Sequence, residues 1–444
     1  MRNYEEFLEE RTRKCQKDSN IPRELYDYYD VKKGLRDRNG KGVVAGLTNI
    51  SKVEGKREVN GEVVPCEGRL LYRGYDVTKL ITTAKPGPGL FEKAAYLLLF
   101  NELPTDEQLV EFRRFLNKHM KLSNSFVREV ILHDNGYDVM NTLSRGVLNL
   151  ALYDPSLTDS SPQSNLGHII NIIGAIPTIA VYGYCALAHY GHGEALLIRT
   201  PDPHLTVAEN ILRMLHPDGK YTDLEAVALD RLMVLHMEHG GGNNSTFTAR
   251  VVSSSGSDTY SVIAAAILSL KGPKHGGASL KVGQMTRDIK KHVKHITDRE
   301  EMRAYLERMA DGEVFDKTGL IYGMGHAVYT LSDPRAIMLR SFAEKLSVNK
   351  GRLNEFKMLA LIEELAPEII MKRHGPKPVC ANVDLYSGFV YDMLGMPMEL
   401  YTPMFAVSRT VGWCAHHMEE TISSNKIIRP AYVSIVEDQI LPND

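Results

Sequence analysis

The chain has 444 residues, which is too long for one small core and predicts two domains, or one large domain with an appendage. Hydrophobic residues make up 43% and charged residues 24%, as in ordinary soluble globular proteins. The formal net charge is −2, so neither nucleic acid nor an anionic membrane is favoured as a partner.

The cysteines and the N-terminus both indicate a cytoplasmic protein. The first twenty residues contain several glutamates and lack an apolar core, which argues against a secretory signal and against a transit peptide. No CxxC motif occurs, so a reducing compartment fits better than a disulfide framework. The five scattered cysteines are Cys15, Cys66, Cys185, Cys380 and Cys414.

The predicted elements begin with a charged, helical N-terminal extension over residues 1–40. Short β-like runs follow between residues 43 and 75, where the pair Asn60-Gly61 is a good hairpin turn. Residues 90–104 then predict a buried helix stopped by the proline at its end. Thr105 begins a further helix as a capping-box residue.

The most apolar stretch, residues 169–188, is about as long as a membrane span. Asn171 and Pro177 interrupt it, and histidines flank it at both ends. These interruptions favour a buried, kinked helix in the core of a soluble protein.

The C-terminal half also reads as helix. Apolar residues recur at three- and four-residue steps from Val282 to Ile296, directly after Gly276 and Gly277. Strands and helices do not alternate regularly, so an all-α fold is favoured over a doubly wound α/β fold. Neither a GxGxxG motif nor a P-loop is present, so NAD and ATP are not indicated as cofactors.

Two histidines lie in loops rich in glycine, His275 in KGPKHGGASL and His326 in GMGHAVY. A helix is predicted to begin just after His275, and its N-terminus would keep the imidazole neutral. A neutral imidazole that donates a hydrogen bond suits an enolate or enol oxygen. The glycines would let a ligand approach the backbone closely. The alternative is a histidine that only fills a tight turn.

Two further side chains stand at predicted helix starts. In SDPRA, Asp333 is a good N-cap and Pro334 a good first residue, which places Arg335 in a first turn. Its guanidinium suits a carboxylate, although a surface ion pair is the alternative. Asp384 precedes an apolar helical face and is either a first-turn residue or a general base whose pKa is raised by apolar neighbours.

The motif HMEH, residues 236–239, suggests a metal site because two histidines at this spacing can share a helix face. A zincin would need HExxH, which is absent, and no third ligand follows at helical spacing. We therefore expect no metal. His416 and His417 point in different directions on a helix and are interpreted as surface or packing residues.

Together and in this order, the motifs resemble those of the citrate synthase family. The resemblance extends from about Val31 to Ser434, nine tenths of the chain, and several motifs in fixed order make it specific. The motifs are LLYRGYDVTKL, AAYLLLFNELPT, LHMEHGGGNNSTFTARVVSSSGSDTYS, GPKHGGA, GMGHAVYTLSDPRA, NVDLYSGFVYDMLGMP and GWCAHHMEE.

The resemblance implies a two-domain, all-α fold with a short β-hairpin region near the N-terminus. The large helical domain would comprise residues 41–274 and 381–444, and the small helical domain residues 275–380. It also implies a homodimer and an acyltransferase of the tricarboxylic acid cycle. Such an enzyme condenses acetyl-CoA with oxaloacetate and hydrolyses citryl-CoA, and it uses the coenzyme A thioester as a substrate rather than a cofactor.

The residue roles follow from the resemblance as well. Asp384 would remove a proton from the acetyl methyl group, His275 would bind the thioester oxygen, and His326 would polarise the oxaloacetate carbonyl. The substrate carboxylates would be held by His239, Arg335, Arg409 and Arg429, with Arg429 arriving from the other subunit. The coenzyme A contacts would be Gly323, Met324, Gly325, Lys377 and Asn382.

Two alternatives to citrate synthase stay open at the sequence level. One is a 2-methylcitrate synthase that uses propionyl-CoA, since one methyl group gives little discrimination. The other is a non-catalytic relative that binds coenzyme A. One departure from the family pattern stands near the site: where the family commonly has GGAN, this chain has GGAS, with Ser279.

Overall fold

The computed structural model describes residues 3–37, 41–133, 138–424 and 426–438. The chain divides into two compact units, residues 48–427 and a second unit formed by residues 1–47 with 428–444. In the second unit two helices are described, α1 (Tyr4–Asp18) and α2 (Arg23–Tyr28), and neither contains a buried residue. The predicted extension is therefore helical at Tyr4–Asp18 and Arg23–Tyr28, and its bounds stay a prediction.

The unit of residues 48–427 is helical apart from one small sheet. Its helices are α3 (Val77–Thr82), α4 (Leu90–Phe100), α5 (Asp106–Met120), α6 (Asn124–Phe126), α7 (Val139–Leu150), α8 (Pro162–His192), α9 (Val207–Leu215), α10 (Asp223–His236), α11 (Asn244–Ser254), α12 (Thr259–Lys271), α13 (Ala278–His292), α14 (Arg299–Ala310), α15 (Pro334–Asn349), α16 (Leu353–His374), α17 (Asp384–Met393) and α18 (Tyr401–Ser423). The predicted all-α class is confirmed. The predicted boundary between a large and a small domain stays a prediction.

The sheet has three antiparallel strands in the order β1 (Ser51–Val59), β2 (Glu62–Tyr72) and β3 (Tyr75–Asp76). Asn60 and Gly61 form the turn between β1 and β2, both with positive φ, as the sequence predicts. The register shifts between Glu54 and Lys56, which marks a bulge at Gly55.

The core lies among the long helices, and α8 crosses it. By length and composition α8 is the one described helix that could span a membrane, but 78% of its most apolar window is buried inside the protein. The prediction of a buried core helix is confirmed, and the helix continues through Pro177.

Two predicted helix ends were wrong. The helix from Leu90 ends at Phe100, because Asn101 takes a left-handed conformation (φ 62°) before the proline is reached. The helix after Gly277 ends at His292, so Ile296 packs against the core from a loop. The capping box of Thr105 with Gln108 is confirmed.

Candidate active site

Six of the predicted site residues come from five separate segments of the unit 48–427. These residues are His239 after α10, His275 before α13, His326 in the loop before α15, Arg335 in the first turn of α15, Asp384 at the start of α17 and Arg409 in α18. The rings of His239 and His326 lie 4.9 Å apart between centroids. The charges of Arg335 and Arg409 both act on His239 and on Asp384. The structure therefore brings these six residues to one place.

His275 lies in a tight turn, in which its own N–H and that of Gly276 donate to the carbonyl of Gly272 at 2.9 and 3.1 Å. The Nε2 atom of the ring accepts a hydrogen bond from the backbone N–H of Ser245 at 3.2 Å and lies 2.9 Å from its Oγ. Because Nε2 accepts, the proton of the neutral ring sits on Nδ1, which can donate to a ligand.

The neutral state of His275 has a different cause from the one predicted. Helix α13 begins at Ala278, three residues further on, and burial rather than the helix N-terminus is the main cause. Burial, with the charge of Arg409 second, lowers the pKa of His275 to about 4. The ring is therefore neutral at physiological pH.

The glycines beside His275 serve the packing of the turn itself. A Cβ on Gly276 would lie 2.2 Å from the carbonyl oxygen of Leu270 at the end of α12. A Cβ on Gly277 would lie 2.6 Å from the carbonyl oxygen of Pro273. Only glycine lets the turn approach these backbone atoms so closely.

His326 has the opposite tautomer. Its Nδ1 accepts hydrogen bonds from the backbone N–H groups of Val328 and Tyr329 at 3.0 and 3.2 Å. The proton of the neutral ring therefore sits on Nε2. The two histidines thus present N–H groups from different ring atoms, each fixed by backbone donors on the other side of the ring.

The glycine-rich loop before His326 pairs with the segment that leads into α17. Gly323 and Gly325 both have φ of 83°, which favours glycine. Gly325 N–H donates to the carbonyl of Cys380 at 2.8 Å, and Asn382 N–H donates to the carbonyl of Gly323 at 2.9 Å. The side chain of Asn382 also donates to the carbonyl of Gly325. Four of the five predicted coenzyme A contacts, residues 323–325 and 382, are therefore neighbours.

Asp384 is the first residue of α17, and its N–H is capped by the side chain of Asn382 at 3.0 Å. Burial raises the pKa of Asp384 to about 6, and Asp333 adds to this while Arg335 and Arg409 oppose it. The first-turn position is therefore confirmed. The raised pKa suits a general base near neutral pH, and that role stays a prediction.

Arg335 is 4% exposed, so the predicted alternative of a surface ion pair is wrong in its location. Its Nε and Nη2 donate to the two carboxylate oxygens of Asp333 at 3.0 and 2.7 Å. Burial lowers the pKa of Arg335, but the charge and hydrogen bonds of Asp333 outweigh this and raise it. Asp333 thus fixes the guanidinium and also caps α15.

Arg409 is 2% exposed and forms no ion pair with a carboxylate among the described residues. Its Nε donates to the carbonyl of His236 at 2.7 Å, and its guanidinium stands 4.7 Å from the centroid of Phe405. Burial lowers its pKa to about 10, against the opposing charge of Glu238. A buried guanidinium held by one nitrogen is suited to receive an anion with its others.

Glu238 of the HMEH segment has hydrogen-bond partners within the protein. No group of three potential ligands occurs among the residues that the structure describes. Glu238 is fully buried and accepts hydrogen bonds from Ser51 Oγ at 2.8 Å and His416 Nε2 at 2.9 Å. Burial raises the pKa of Glu238, but His416 outweighs this and lowers it to about 2. His416 and His417 are both buried, so their packing role is confirmed and a surface position is wrong.

Two of the predicted site residues are exposed. Lys377 is exposed in the loop between α16 and α17, and Arg429 is exposed in the unit formed by residues 1–47 and 428–444. Their roles stay predictions.

Ser279 is buried in the first turn of α13, where its carbonyl oxygen would meet a Cβ on Gly388 of α17 at 3.2 Å. The departure from the family pattern therefore lies against the helix that begins with Asp384.

Sequence reasoning missed three supporting side chains. Ser245 holds His275, and Trp413 Nε1 donates to Ser245 Oγ at 3.2 Å. The ring of Tyr329 contacts the rings of both His239 and His326. Tyr329 lies three residues after His326, and this short spacing could have indicated a contact between them. Trp413 and Ser245 are 168 residues apart, so no local pattern indicates their contact.

Comparisons with known proteins identify the family of the chain. The family model described as citrate synthase, C-terminal domain, matches residues 35–431. A citrate synthase of Deinococcus radiodurans is 34% identical and the match covers 87% of this chain and 94% of that one. A 2-methylcitrate synthase of Shewanella oneidensis is 33% identical, with 93% and 98% covered.

A solved structure shares the fold. The citrate synthase of Thermoplasma acidophilum, in a ternary complex with carboxymethyl coenzyme A and oxaloacetate, superposes with a TM-score of 0.75 at 25% identity. The match covers 93% of this chain and 98% of that one. With the family model matched over most of its length, the chain belongs to the citrate synthase family of acyltransferases.

Proposed function

We propose that this chain is a citrate synthase of the Si type, which condenses acetyl-CoA with oxaloacetate and hydrolyses citryl-CoA to citrate and CoA. The proposal rests on the protonation of three groups at one site, two hydrogen-bond donors and one base. His275 and His326 are neutral donors on different ring nitrogens, and Asp384 has a raised pKa. Names of relatives support both the activity and the two substrates.

The first step is the removal of a proton from the acetyl methyl group by the carboxylate of Asp384. A thioester α-proton is far too weakly acidic for aspartate alone, so the enol oxygen needs a donor at the same moment. The Nδ1–H of His275 supplies that hydrogen bond. Burial keeps this ring neutral. The neutral ring stabilises the enol by donating its N–H to the enol oxygen.

The second step is attack of the enol carbon on the ketone carbon of oxaloacetate. The Nε2–H of His326 polarises the ketone oxygen and can supply a proton to it. Arg335, Arg409 and His239 hold the carboxylates. The guanidinium of Arg409 is held through its Nε on the carbonyl of His236, so its other nitrogens can donate to a substrate carboxylate. Citryl-CoA then loses CoA by hydrolysis.

We further propose a coenzyme A site, a closure of the small domain and a homodimer. Residues 323–325, Lys377 and Asn382 would contact coenzyme A, and the predicted small domain, residues 275–380, would close over the site. Closure excludes water from the enol, which is the general reason for lids in such reactions. We also propose a cytoplasmic homodimer in which Arg429 of one subunit completes the carboxylate site of the other.

The second candidate, 2-methylcitrate synthase, is favoured by the relatives of that name at similar identity. The deciding experiment measures turnover of acetyl-CoA and propionyl-CoA with oxaloacetate in parallel. Loss of thioester absorbance is the better readout, because Cys15 is exposed and would consume a thiol reagent. We expect acetyl-CoA to be preferred by roughly 10- to 200-fold, the discrimination that one methyl group permits. Faster turnover of propionyl-CoA would reverse the assignment.

A non-catalytic relative that binds coenzyme A is tested by D384A. We expect this variant to lose condensation and keep oxaloacetate binding measurable by calorimetry. Normal turnover by D384A would show that Asp384 is not the base, and absence of turnover in the unaltered protein with either thioester would support the binding-only alternative.

A further inference from the structure

Tyr329 contacts three of the site residues at once. Its ring stacks on that of His326, with centroids 4.9 Å apart and an interplanar angle of 27°. The same ring meets His239 edge-on at 5.4 Å, and the guanidinium carbon of Arg335 lies 5.7 Å from its centroid. The side chain is 1% exposed, so these neighbours fix it firmly.

The hydroxyl of Tyr329 reaches both His239 and the hairpin. Its oxygen lies 3.4 Å from the carbonyl oxygen of Arg69 in β2 and 3.3 Å from Nε2 of His239. The hydroxyl has one proton and can donate to only one of these acceptors at a time. When it donates to Nε2, the proton of the neutral His239 ring lies on Nδ1, from which it can donate to a substrate carboxylate.

The backbone of Tyr329 sets the tautomer of His326. Its N–H donates to His326 Nδ1 at 3.2 Å, together with the N–H of Val328. One residue therefore orients both histidines, by its hydroxyl on one and by its amide and ring on the other.

The hairpin of β1 and β2 holds Tyr329 in place through two glycines. A Cβ on Gly55 would lie 2.6 Å from the carbonyl oxygen of Val328. A Cβ on Gly68 would lie 2.2 Å from the carbonyl oxygen of Ser332 and 2.8 Å from Cδ1 of Tyr329. The N–H of Gly68 also donates to Ser332 Oγ at 3.0 Å. The small sheet is thus packed directly onto the segment that contains His326.

We propose that Tyr329 is a positioning residue of the active site, and that the β1–β2 hairpin is its support. It acts through His239 and His326 rather than on the substrate. The kinetic part of this inference rests on the proposed function, whereas the tautomers of the two histidines can be observed without turnover.

The test compares Y329F, Y329L and the control Y182F. Tyr182 is also buried, and its hydroxyl donates to the carbonyl of Arg199 at 3.1 Å in the core around α8. Y329F keeps the ring but loses both polar contacts, so we expect KM for oxaloacetate to rise roughly three- to tenfold with kcat nearly unchanged. Y329L also loses the ring under His326, and we expect kcat to fall roughly 10- to 100-fold. Y182F should change neither constant.

Nitrogen NMR of histidine-labelled protein separates this inference from the proposed function. His239 should be protonated at Nδ1 in the unaltered protein, with its signal assigned by H239Q, and Y329F should change that signal while Y182F does not. A changed tautomer in a protein that turns over neither thioester would uphold the positioning role and refute the proposed function. An unchanged His239 signal together with unchanged kinetic constants in Y329F would overturn the inference, even if Y329L failed to fold.

Discussion

Asp384 combines two properties that conflict at the level of one residue. Its carboxyl is buried, so ionisation is costly, yet a base must be ionised to accept a proton. Burial raises its pKa only to about 6, because Arg335 and Arg409 stabilise the charged form. The residue is thus ionised at neutral pH but basic enough to be useful.

The pH dependence of turnover should show this pKa. Because the ionised carboxylate is the active form, kcat should fall about tenfold for each pH unit below about 6. His275, with a pKa of about 4, stays neutral across this range and should not add a second step. A pH–rate profile over about pH 4.5–8 measures it. A flat acid limb would contradict the assignment of the base.

Replacing Asp384 by asparagine should stabilise the fold while abolishing activity. The folded pKa of about 6 exceeds the unfolded value of 3.8, so the folded state binds the proton more tightly. Its contribution to stability is therefore full below pH 3.8 and is lost as the pH rises through about 6. At neutral pH D384N avoids a penalty of up to roughly 3 kcal/mol.

The measurement is thermal melting of D384N and the unaltered protein at several pH values. The stabilisation should be largest at neutral pH and shrink as the pH falls toward the unfolded pKa. A variant that melts lower at neutral pH would mean that the ionised carboxylate stabilises the fold. Such a gain in stability with loss of activity is the usual trade-off at an active site.

At the scale of elements, α18 packs against the loop of Glu238 through Gly412. A Cβ at Gly412 would lie 2.3 Å from Oε2 of Glu238 and 2.5 Å from the carbonyl oxygen of Met237. This contact lies one helical turn from Arg409 on the same helix. The glycine therefore sets the distance between Arg409 and the loop that contains His239.

Substitution of Gly412 by alanine should cost about 1–3 kcal/mol, because the collision involves a backbone atom that cannot move aside easily. The control is G167A in α8, where a Cβ meets nothing within 4 Å. There alanine should stabilise the helix by roughly 0.5–1 kcal/mol. Denaturant unfolding measures both variants. Equal effects of the two substitutions would contradict the packing argument.

At the scale of the whole molecule, a buried charge network joins distant parts of the chain. Arg250 in α11 donates to Glu420 at 2.7 Å and to Nδ1 of His416 at 2.7 Å, and it also pairs with Glu419. Nε2 of His416 donates to the carboxylate of Glu238. The hydroxyl of Ser51, at the start of β1, donates to the same carboxylate. The network thus connects the sheet, the HMEH loop and α18.

Removal of Arg250 by substitution with leucine should destabilise the protein by about 3–5 kcal/mol, because buried acids would lose their partner. The matched control is R373L, since Arg373 pairs with Asp311 near the surface. That substitution should cost no more than about 1 kcal/mol. The free energy of unfolding in urea compares them, and similar losses in both variants would show that the network adds nothing beyond a surface pair.

Local sequence patterns determined the elements and the chemistry available to them. The capping box of Thr105, the hairpin turn at Asn60 and Gly61 and the Asp333-Pro334 helix start all agree with the structure. These features depend on backbone preferences over a few residues, which the chain expresses wherever it lies. The motifs around His275, His326 and Asp384 likewise identified the family.

Only the tertiary structure decided the pKa values and the orientation of those groups. The pKa of His275 follows from burial and from Arg409, 134 places further along the chain by residue number, rather than from the adjacent helix start. Ser245 holds the ring of His275 from 30 places earlier in the chain, and Tyr329 is held by two glycines of the hairpin. Burial and close packing arise between segments far apart in sequence, so no local pattern contains them. The sequence by itself therefore determined which groups are available to the site, and the packing of the folded chain decided their charge, tautomer and position.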